Sequence, residues 1–251
     1  MHERGALVTT HKIDLFEACR DLFDGVDESA ALCGETSCLY KRGGLLRAQA
    51  TDPVAAGRAL GEFLPDDHWL ETAGEVLCLG AGGSAVAITA HLIKRAANST
   101  GPARITVVNR SAARLDAMRM IHARLSSPIE IDYVKNVDPQ VNDQHVRRLP
   151  PGSLVINATG MGKDTPGSPI TDAAEFPEGG FAWELNYRGD LQFLRQALSQ
   201  VESRGLHVHD GWRYFIHGWA AVMEEVFELR IDDDRLARLA ALSEAERPAR
   251  S

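Results

Sequence analysis

The stretch at residues 74–98, GEVLCLGAGGSAVAITAHLIKRAAN, constrains the fold of this chain more than any other. A short apolar run rich in strand-forming residues is followed by a glycine-rich turn, and then by a segment with helical length and periodicity. This order predicts a strand, a tight turn and a helix that returns across a sheet. The turn has the pattern G-x-G-x-x-A and consists of Gly80, Ala81, Gly82, Gly83, Ser84 and Ala85.

The same alternation continues along the chain. Further strand-like segments lie at 104–110, 129–134, 152–160, 179–187 and 205–211. Further helical patterns lie at 111–126 and 190–203, and Ser111 is a candidate N-cap for the first of these. Strands that alternate with helices of this length indicate a parallel sheet covered on both faces. We therefore predict a doubly wound α/β domain.

Composition and charge exclude several classes of function. The 251 residues carry 27 Lys and Arg against 35 Asp and Glu, a net charge of −8 without a long basic run, which disfavours nucleic-acid binding. No segment approaches the roughly 20 apolar residues of a membrane span, and the N-terminus lacks signal-peptide features, so we expect a cytoplasmic protein with no membrane partner. His207 and His209 share one strand face, but without a third ligand nearby we favour a structural use over a metal site.

The glycine turn has the residues that a nucleotide site requires. Gly80 permits a tight turn, Gly82 lets the backbone approach a pyrophosphate, and the small Ala85 lets the helix pack close to the strand. The anion would then bind to free N–H groups at the helix N-terminus. Glycine turns also occur for purely structural reasons, but the strand-turn-helix context favours nucleotide binding.

The end of the second predicted strand indicates which dinucleotide binds. An NAD site usually has an acidic residue there, whereas this chain has Asn109, Arg110 and Ser111, with Arg114 one turn further on. An arginine attracts a 2′-phosphate and can bind it through two hydrogen bonds, so we predict NADP(H). The alternative is that Arg110 is only a solvated residue at a helix start, although a cation there is disfavoured unless an anion is bound.

Several motifs agree in order and spacing with one known family. They are GAGGSA at 80–85, NRS at 109–111, INATGMG at 156–162, ELNYRGDLQFLRQA at 184–197 and DGW at 210–212. Together they resemble the motifs of the shikimate dehydrogenases across nearly the whole chain. The resemblance implies an NADP-binding Rossmann domain, a smaller α/β substrate domain, and hydride transfer between NADP(H) and a small hydroxylated cyclic substrate.

The resemblance continues upstream and implies a catalytic pair. LVTTHK at 7–12 is similar to the family pattern N-V-T-x-P-x-K, although it is one residue shorter and lacks the proline. It places the catalytic lysine at Lys12 and a substrate-binding threonine at Thr9. The segment at 33–60 is similar to the stretch that ends in T-D, which makes Thr51 a substrate ligand and Asp52 the partner of the lysine. From the residues alone, a surface ion pair or no contact is the alternative.

Other site residues follow from the resemblance with less support. It places Thr159 and Met161 along the nicotinamide crevice, Gly211 beside the nicotinamide, and Tyr187 near cofactor and substrate, with packing as the alternative for the tyrosine. The chain also departs from the family, because the position of a substrate-binding Gln holds Gly218.

The family's first strand and helix units, including a Ser-x-Ser motif for the substrate carboxylate, have no counterpart before Lys12. We therefore expect an incomplete substrate domain at 1–73, a Rossmann domain at 74–209, and C-terminal helices at 210–251 that pack back on the substrate domain. An unmatched sheet edge suggests a homodimer. Two alternatives stay open: an NADP dehydrogenase for a different polyol, and a catalytically silent NADP-binding or regulatory protein.

Overall fold

The computed structural model describes residues 4–125 and 129–247. Residues 1–3, Ser126 at the end of the second predicted helix, and the last four residues of the polar tail lie outside the described residues. The chain divides into two compact units. Unit 1 contains the described residues up to Leu60 together with Arg213–Arg247, and unit 2 contains those from Gly61 to Trp212.

The strands, in chain order, are β1 (Gly5–Leu7), β2 (Gly25–Val26), β3 (Cys38–Arg42), β4 (Leu45–Gln49), β5 (Val76–Leu79), β6 (Arg104–Asn109), β7 (Glu130–Lys135), β8 (Leu154–Asn157), β9 (Phe181–Glu184) and β10 (His207–His209). The helices are α1 (Lys12–Cys19), α2 (Glu28–Cys33), α3 (Asp52–Gly61), α4 (His68–Thr72), α5 (Gly83–Ala97), α6 (Ala112–His122), α7 (Pro139–Arg147), α8 (Gln192–Leu198), α9 (Val201–Arg204), α10 (Trp212–Phe227) and α11 (Asp233–Ala245). A short 3₁₀ turn, Arg20–Leu22, follows α1.

Unit 2 is built on a six-stranded sheet in the order β10-β9-β8-β5-β6-β7, and every neighbouring pair is parallel. The first strand of the unit, β5, lies in the middle, and the chain order reverses between β5 and β8. This is the strand order of a doubly wound dinucleotide-binding sheet. The predicted fold class is confirmed, and each strand is shorter than the segment that predicted it except β7, which has the predicted length and is shifted by one residue.

The core of unit 2 explains why its central strands are continuous apolar runs. All four residues of β5 and of β8 are buried, as expected for parallel strands with helices on both faces. Leu77, Leu79, Val155 and Phe193 belong to one buried cluster.

Within the described residues, no helix combines the length and the apolar character needed to cross a membrane.

One helical prediction in unit 2 needs correction, and one helix was not predicted. The segment at 190–203 is not one helix, because α8 ends at Leu198 and α9 begins at Val201. The stretch between β7 and β8, for which no element was predicted, is helical over α7. Asp138 caps α7 by accepting a hydrogen bond from the Gln140 N–H at 2.9 Å. The buried face of α7 includes two polar residues, so a search for apolar periodicity could not reveal this helix.

Unit 1 contains a four-stranded sheet in the order β1-β3-β4-β2, antiparallel except between β2 and β4. Helix α10 packs on this sheet, where Val222 joins Cys38 and Tyr40 in a buried cluster. An ion pair of 2.9 Å between Arg58 of α3 and Glu224 of α10 adds a second contact. Two helices that matter for the site, α1 and α3, begin at Lys12 and Asp52 respectively.

Candidate active site

The turn after β5 is shaped around Gly80. Its φ of +117° lies in a region that favours glycine, and a Cβ there would lie 2.6 Å from the carbonyl oxygen of Ala158. The Gly80 N–H donates to the Val108 carbonyl at 2.8 Å. The turn is therefore held between the ends of β6 and β8, as the predicted role of Gly80 requires.

The N-terminus of α5 presents uncapped N–H groups. Gly82 occupies the N-cap position, no side chain among the described residues caps the helix, and no acidic residue lies in its first turn. A Cβ on Gly82 or Gly83 would meet no atom within 4 Å, whereas Ala85 is fully buried. Ala81 is buried at the turn and Ser84 is half-buried. This arrangement fits a pyrophosphate, because unpaired N–H groups and the helix dipole both favour an anion.

Two arginines follow β6. The Asn109 side chain donates to the Ser111 carbonyl at 3.3 Å, and Ser111 caps α6 by accepting from the Arg114 N–H at 3.4 Å. Arg110 and Arg114 are exposed, and in the part of the chain that the structure describes neither guanidinium pairs with a carboxylate. By contrast, Arg104 on the same strand pairs with two carboxylates at 2.6 Å. The two arginines are thus free to bind a phosphate.

The loop after β8 is organised by Asn157. Its side-chain oxygen accepts from the Thr159 N–H at 3.1 Å and from the Thr159 hydroxyl at 2.6 Å. The same hydroxyl accepts from the Met161 N–H at 3.2 Å. Because β5 and β8 flank the point where the strand order reverses, this loop and the Gly80 turn lie at the edge where ligands bind in open α/β sheets.

A buried carboxyl at the end of β9 supports this loop, and it was not predicted from the sequence. Glu184 is fully buried and accepts three hydrogen bonds, from the Asn157 side chain at 2.7 Å and from the backbone and side chain of Asn186 at 2.8 and 2.7 Å. Burial raises the pKa of Glu184 to about 8, against the three hydrogen bonds that lower it. Asn186 also donates to the carbonyls of Thr159 and Met161. The sequence signal that could have revealed this carboxyl is a charged residue, Glu184, at the end of the apolar strand β9.

Gly211 and Tyr187 lie near this cluster. A Cβ on Gly211 would overlap the Leu185 carbonyl, so the chain returns close to the end of β9. The Tyr187 ring meets Trp212 edge to face at 5.5 Å between centroids. The packing alternative for Tyr187 therefore has an observed partner, and its contact with cofactor or substrate stays a prediction.

The two histidines of β10 are used in ring stacking. His209 stacks on Phe63 at 4.0 Å, and His207 stacks on Phe181 at 4.8 Å. Across residues 4–125 and 129–247, no cluster of three or more His, Cys, Asp or Glu side chains is arranged to hold a metal ion.

In unit 1 the fold joins Lys12 to Asp52. The ammonium of Lys12 donates to Asp52 Oδ2, although the residues are 40 positions apart. Their side chains are 17% and 9% exposed, so the pair is largely shielded but open to solvent in part. A cation at the start of α1 is unfavourable against the helix dipole, whereas a carboxylate at the start of α3 is favourable. Asp52 therefore compensates a charge that the position of Lys12 would otherwise disfavour.

The two predicted threonines differ in accessibility. Thr51 is 1% exposed, its N–H donates to Ser37 Oγ at 2.7 Å, and its hydroxyl lies 3.1 Å from the same oxygen. Thr9 is exposed on the segment between β1 and α1. The fold thus uses Thr51 to hold the chain just before Asp52, and brings Thr9 to the surface.

A third ionisable group in unit 1 was also missed. Glu35 lies in the segment CGETSC at 33–38 and is only 2% exposed, and the charges of Lys12 and Asp52 both act on its carboxyl. Burial, followed by the charge of Asp52, raises its pKa to about 8. Nothing in the local sequence pattern distinguishes it from a surface acid at the end of a short helix.

No family model matches the chain. The NADP-dependent shikimate dehydrogenase of Symbiobacterium thermophilum is 30% identical over 232 residues, which cover 90% of this chain and 73% of that protein. The enzyme of the same name from Rhodopseudomonas palustris strain CGA009 is 30% identical over 192 residues, which cover 76% of this chain and 61% of that protein.

Solved structures agree in fold. Quinate dehydrogenase from Corynebacterium glutamicum, solved with NAD, has a TM-score of 0.74 at 20% identity and matches 96% of this chain and 78% of that one. Shikimate 5-dehydrogenase from Thermus thermophilus, solved with NADP(H) and shikimate, has a TM-score of 0.66 at 24% identity and matches 96% of this chain and 79% of that one. The resemblance inferred from the motifs is confirmed by the sequence relatives, and the chain belongs to the shikimate dehydrogenase family.

Proposed function

We propose that this protein is an oxidoreductase that transfers a hydride between NADP(H) and a carbon bearing a hydroxyl group in a small, hydroxylated cyclic substrate similar to shikimate or quinate. The observation that carries the proposal is the shielded ion pair between Lys12 and Asp52. The similarity of the chain to proteins named as NADP-dependent shikimate dehydrogenases supports the same reaction.

Lys12 acts as the acid and base. When an alcohol is oxidised, its hydroxyl proton must leave as the hydride leaves the carbon, and Lys12 Nζ accepts that proton in its neutral form. In the reverse direction the Lys12 ammonium donates the proton. Asp52 orients the nitrogen by accepting its hydrogen bond and binds the substrate alongside Thr9, while the buried Thr51 holds the chain just before Asp52.

Unit 2 binds the cofactor, which supplies the hydride acceptor or donor when bound. The uncapped N–H groups at the start of α5 bind the pyrophosphate. Arg110 and Arg114 bind the 2′-phosphate that distinguishes NADP from NAD. Thr159 and Met161, held by Asn157, line the nicotinamide side.

A second candidate is a dehydrogenase of the same mechanism for a different polyol. It is favoured by Gly218 on α10, where a Cβ would meet no atom within 4 Å. No side chain from that position can donate a hydrogen bond to a substrate hydroxyl. Turnover measured across shikimate, quinate and related cyclic alcohols would discriminate the two, since preference for an alcohol outside the first two selects the second candidate.

The catalytic role of Lys12 is tested by Lys12→Met, with Lys41→Met as the matched control on an exposed lysine of the same unit. We expect Lys12→Met to lose about 10²-fold or more in kcat with NADPH affinity nearly unchanged, and the control to keep full activity. Equal activity of the two variants would overturn the assignment. Binding of NADPH without turnover of any cyclic alcohol by the wild-type chain would favour a silent NADP-binding or regulatory protein instead.

The cofactor preference is tested by Arg110→Ala. Loss of charge-assisted hydrogen bonds to the 2′-phosphate should weaken NADPH roughly tenfold or more and leave NADH nearly unaffected. Arg119→Ala is the control, on the helix α6 that follows Arg110, where the guanidinium pairs with Asp116 at 3.1 Å. Equal losses for both cofactors would count against the phosphate role.

The proposal also includes the cellular setting and assembly. It assigns the protein to the cytoplasm, with a small-molecule substrate, no nucleic-acid partner, and a homodimer as its assembly. Light scattering at several protein concentrations tests the dimer, and a mass of one chain at every concentration would reject it.

A further inference from the structure

Glu35 is a buried acid that the proposed reaction does not use. It is 2% exposed, and neither carboxyl oxygen has a hydrogen-bond partner among the described residues. A buried carboxyl without a donor strongly disfavours its ionised form.

Hydrogen bonds tie the segment that carries Glu35 to the chain at both members of the ion pair. The residue after it, Thr36, donates its N–H to the Lys12 carbonyl at 3.4 Å. The next residue, Ser37, accepts from the N–H of Thr51 at 2.7 Å, directly before Asp52. The short segment that carries Glu35 is thus tied to the start of α1 on one side and to the start of α3 on the other.

Three charged groups act on Glu35, each at the start of a helix. The pKa of Glu35 is raised to about 8, mainly by burial and next by the charge of Asp52 at the start of α3. Lys12 at the start of α1 lowers it, and Asp27 at the cap of α2 raises it. Asp27 is already occupied, since it accepts hydrogen bonds from three backbone N–H groups. Of these charged groups, Lys12 and Asp52 are therefore the ones whose protonation can be coupled to that of Glu35.

Exposure decides how Glu35 can act. The side chains of Lys12 and Asp52 are 17% and 9% exposed, whereas both oxygens of Glu35 are inaccessible. A carboxyl that solvent does not reach cannot contact a substrate directly and can act only through a more accessible neighbour. We propose that Glu35 is a positioning residue for the Lys12–Asp52 pair, whose uncharged carboxyl leaves Lys12 able to lose its proton and whose ionised carboxyl holds that proton on Lys12. This inference rests on the proposed function of Lys12.

The direction of the effect follows from charge. With Glu35 protonated, the Lys12 ammonium is stabilised by one carboxylate, that of Asp52. When Glu35 releases its proton to solvent, a second negative charge favours the ammonium. Alcohol oxidation needs the neutral amine, so ionisation of Glu35 opposes the reaction.

The test is the pH dependence of kcat/KM for alcohol oxidation in the wild type, Glu35→Gln and Glu28→Gln. Glutamine is neutral at every pH, so Glu35→Gln should move the midpoint of the rise in activity to lower pH by about one pH unit. Glu28→Gln removes the same charge from an exposed position on α2 and should leave the profile unchanged. Superimposable profiles for Glu35→Gln and the wild type would overturn the proposal.

A measurement without turnover separates this proposal from the function on which it rests. The NMR signal of ¹³Cε-labelled Lys12, assigned by its loss in Lys12→Met, should shift near pH 8 in the wild type, where Glu35 ionises, and should lose that shift in Glu35→Gln. That result in a protein without dehydrogenase activity would reject the proposed function and support the role of Glu35. In the wild type alone, the signal should bend near pH 8, where Glu35 ionises, and a single unbent curve would reject the role even if the variant does not fold.

Discussion

The ion pair between Lys12 and Asp52 should show strong thermodynamic coupling, measurable without any substrate. The perturbations are Lys12→Met, Asp52→Asn and the two combined. Methionine keeps most of the lysine stem and removes the charge, and asparagine keeps the shape of the aspartate. Each single change leaves one charge in a largely shielded place, because the two side chains are 17% and 9% exposed.

The expected size follows from burial and helix position. Removal of one partner of a buried ion pair costs about 3 kcal/mol. The dipole at the start of α3 stabilises the Asp52 carboxylate by up to about 1 kcal/mol, which leaves about 2 kcal/mol for Lys12→Met. Asp52→Asn should cost at least as much, since the dipole at the start of α1 disfavours the cation that this change leaves unpaired. The double variant buries no unpaired charge and should be within about 1 kcal/mol of the wild type, a coupling of about 3 kcal/mol.

Denaturant unfolding at neutral pH measures the four free energies of unfolding. The control is the cycle of Arg58→Ala and Glu224→Gln, a pair in the same unit with an arginine side chain that is 36% exposed, for which coupling below about 1 kcal/mol is expected. If the Lys12 and Asp52 changes simply add, the shielded ion pair does not stabilise the fold and the reasoning from burial is refuted.

Three further predictions concern buried groups near the candidate site. Gly80→Ala should destabilise the protein by about 3 kcal/mol or more, as seen by denaturant unfolding, because φ is +117° and a Cβ would meet the Ala158 carbonyl; a loss below about 1 kcal/mol would contradict this. The folded state holds a proton on Glu184 that the unfolded chain has released between pH 4.5 and about 8, so stability should fall as pH rises through this window, and Glu184→Gln should flatten that fall in unfolding curves; an unchanged slope would argue against a raised pKa. Ser37→Ala should cost about 1–3 kcal/mol and lower kcat, because the buried Thr51 N–H loses its acceptor at 2.7 Å; a stability and kcat equal to the wild type would show that another acceptor replaces it.

Local features of the chain predicted much of unit 2. The strand and helix periods, the glycine at the positive φ of the turn and the Ser111 cap each depend on residues within a few positions of one another. Such features are set by backbone geometry and by which faces are apolar, so they can be read without knowing the fold. Helix α7 was not predicted because two of its buried residues, Asn142 and Asp143, are polar. Their side chains hydrogen-bond to residues distant in sequence, including Pro169.

The sequence by itself determined the alternating α/β architecture, the family, and the residue types available at each predicted position. Only the tertiary structure decided which of them meet: Lys12 with Asp52 across 40 residues, and Glu184 with Asn157 across 27. It also decided that Thr51 is buried while Thr9 is exposed, and that Glu35 is an inaccessible acid beside the pair. Burial and distance between remote segments come from packing of the whole unit, and these two quantities set the charge and reactivity of the site.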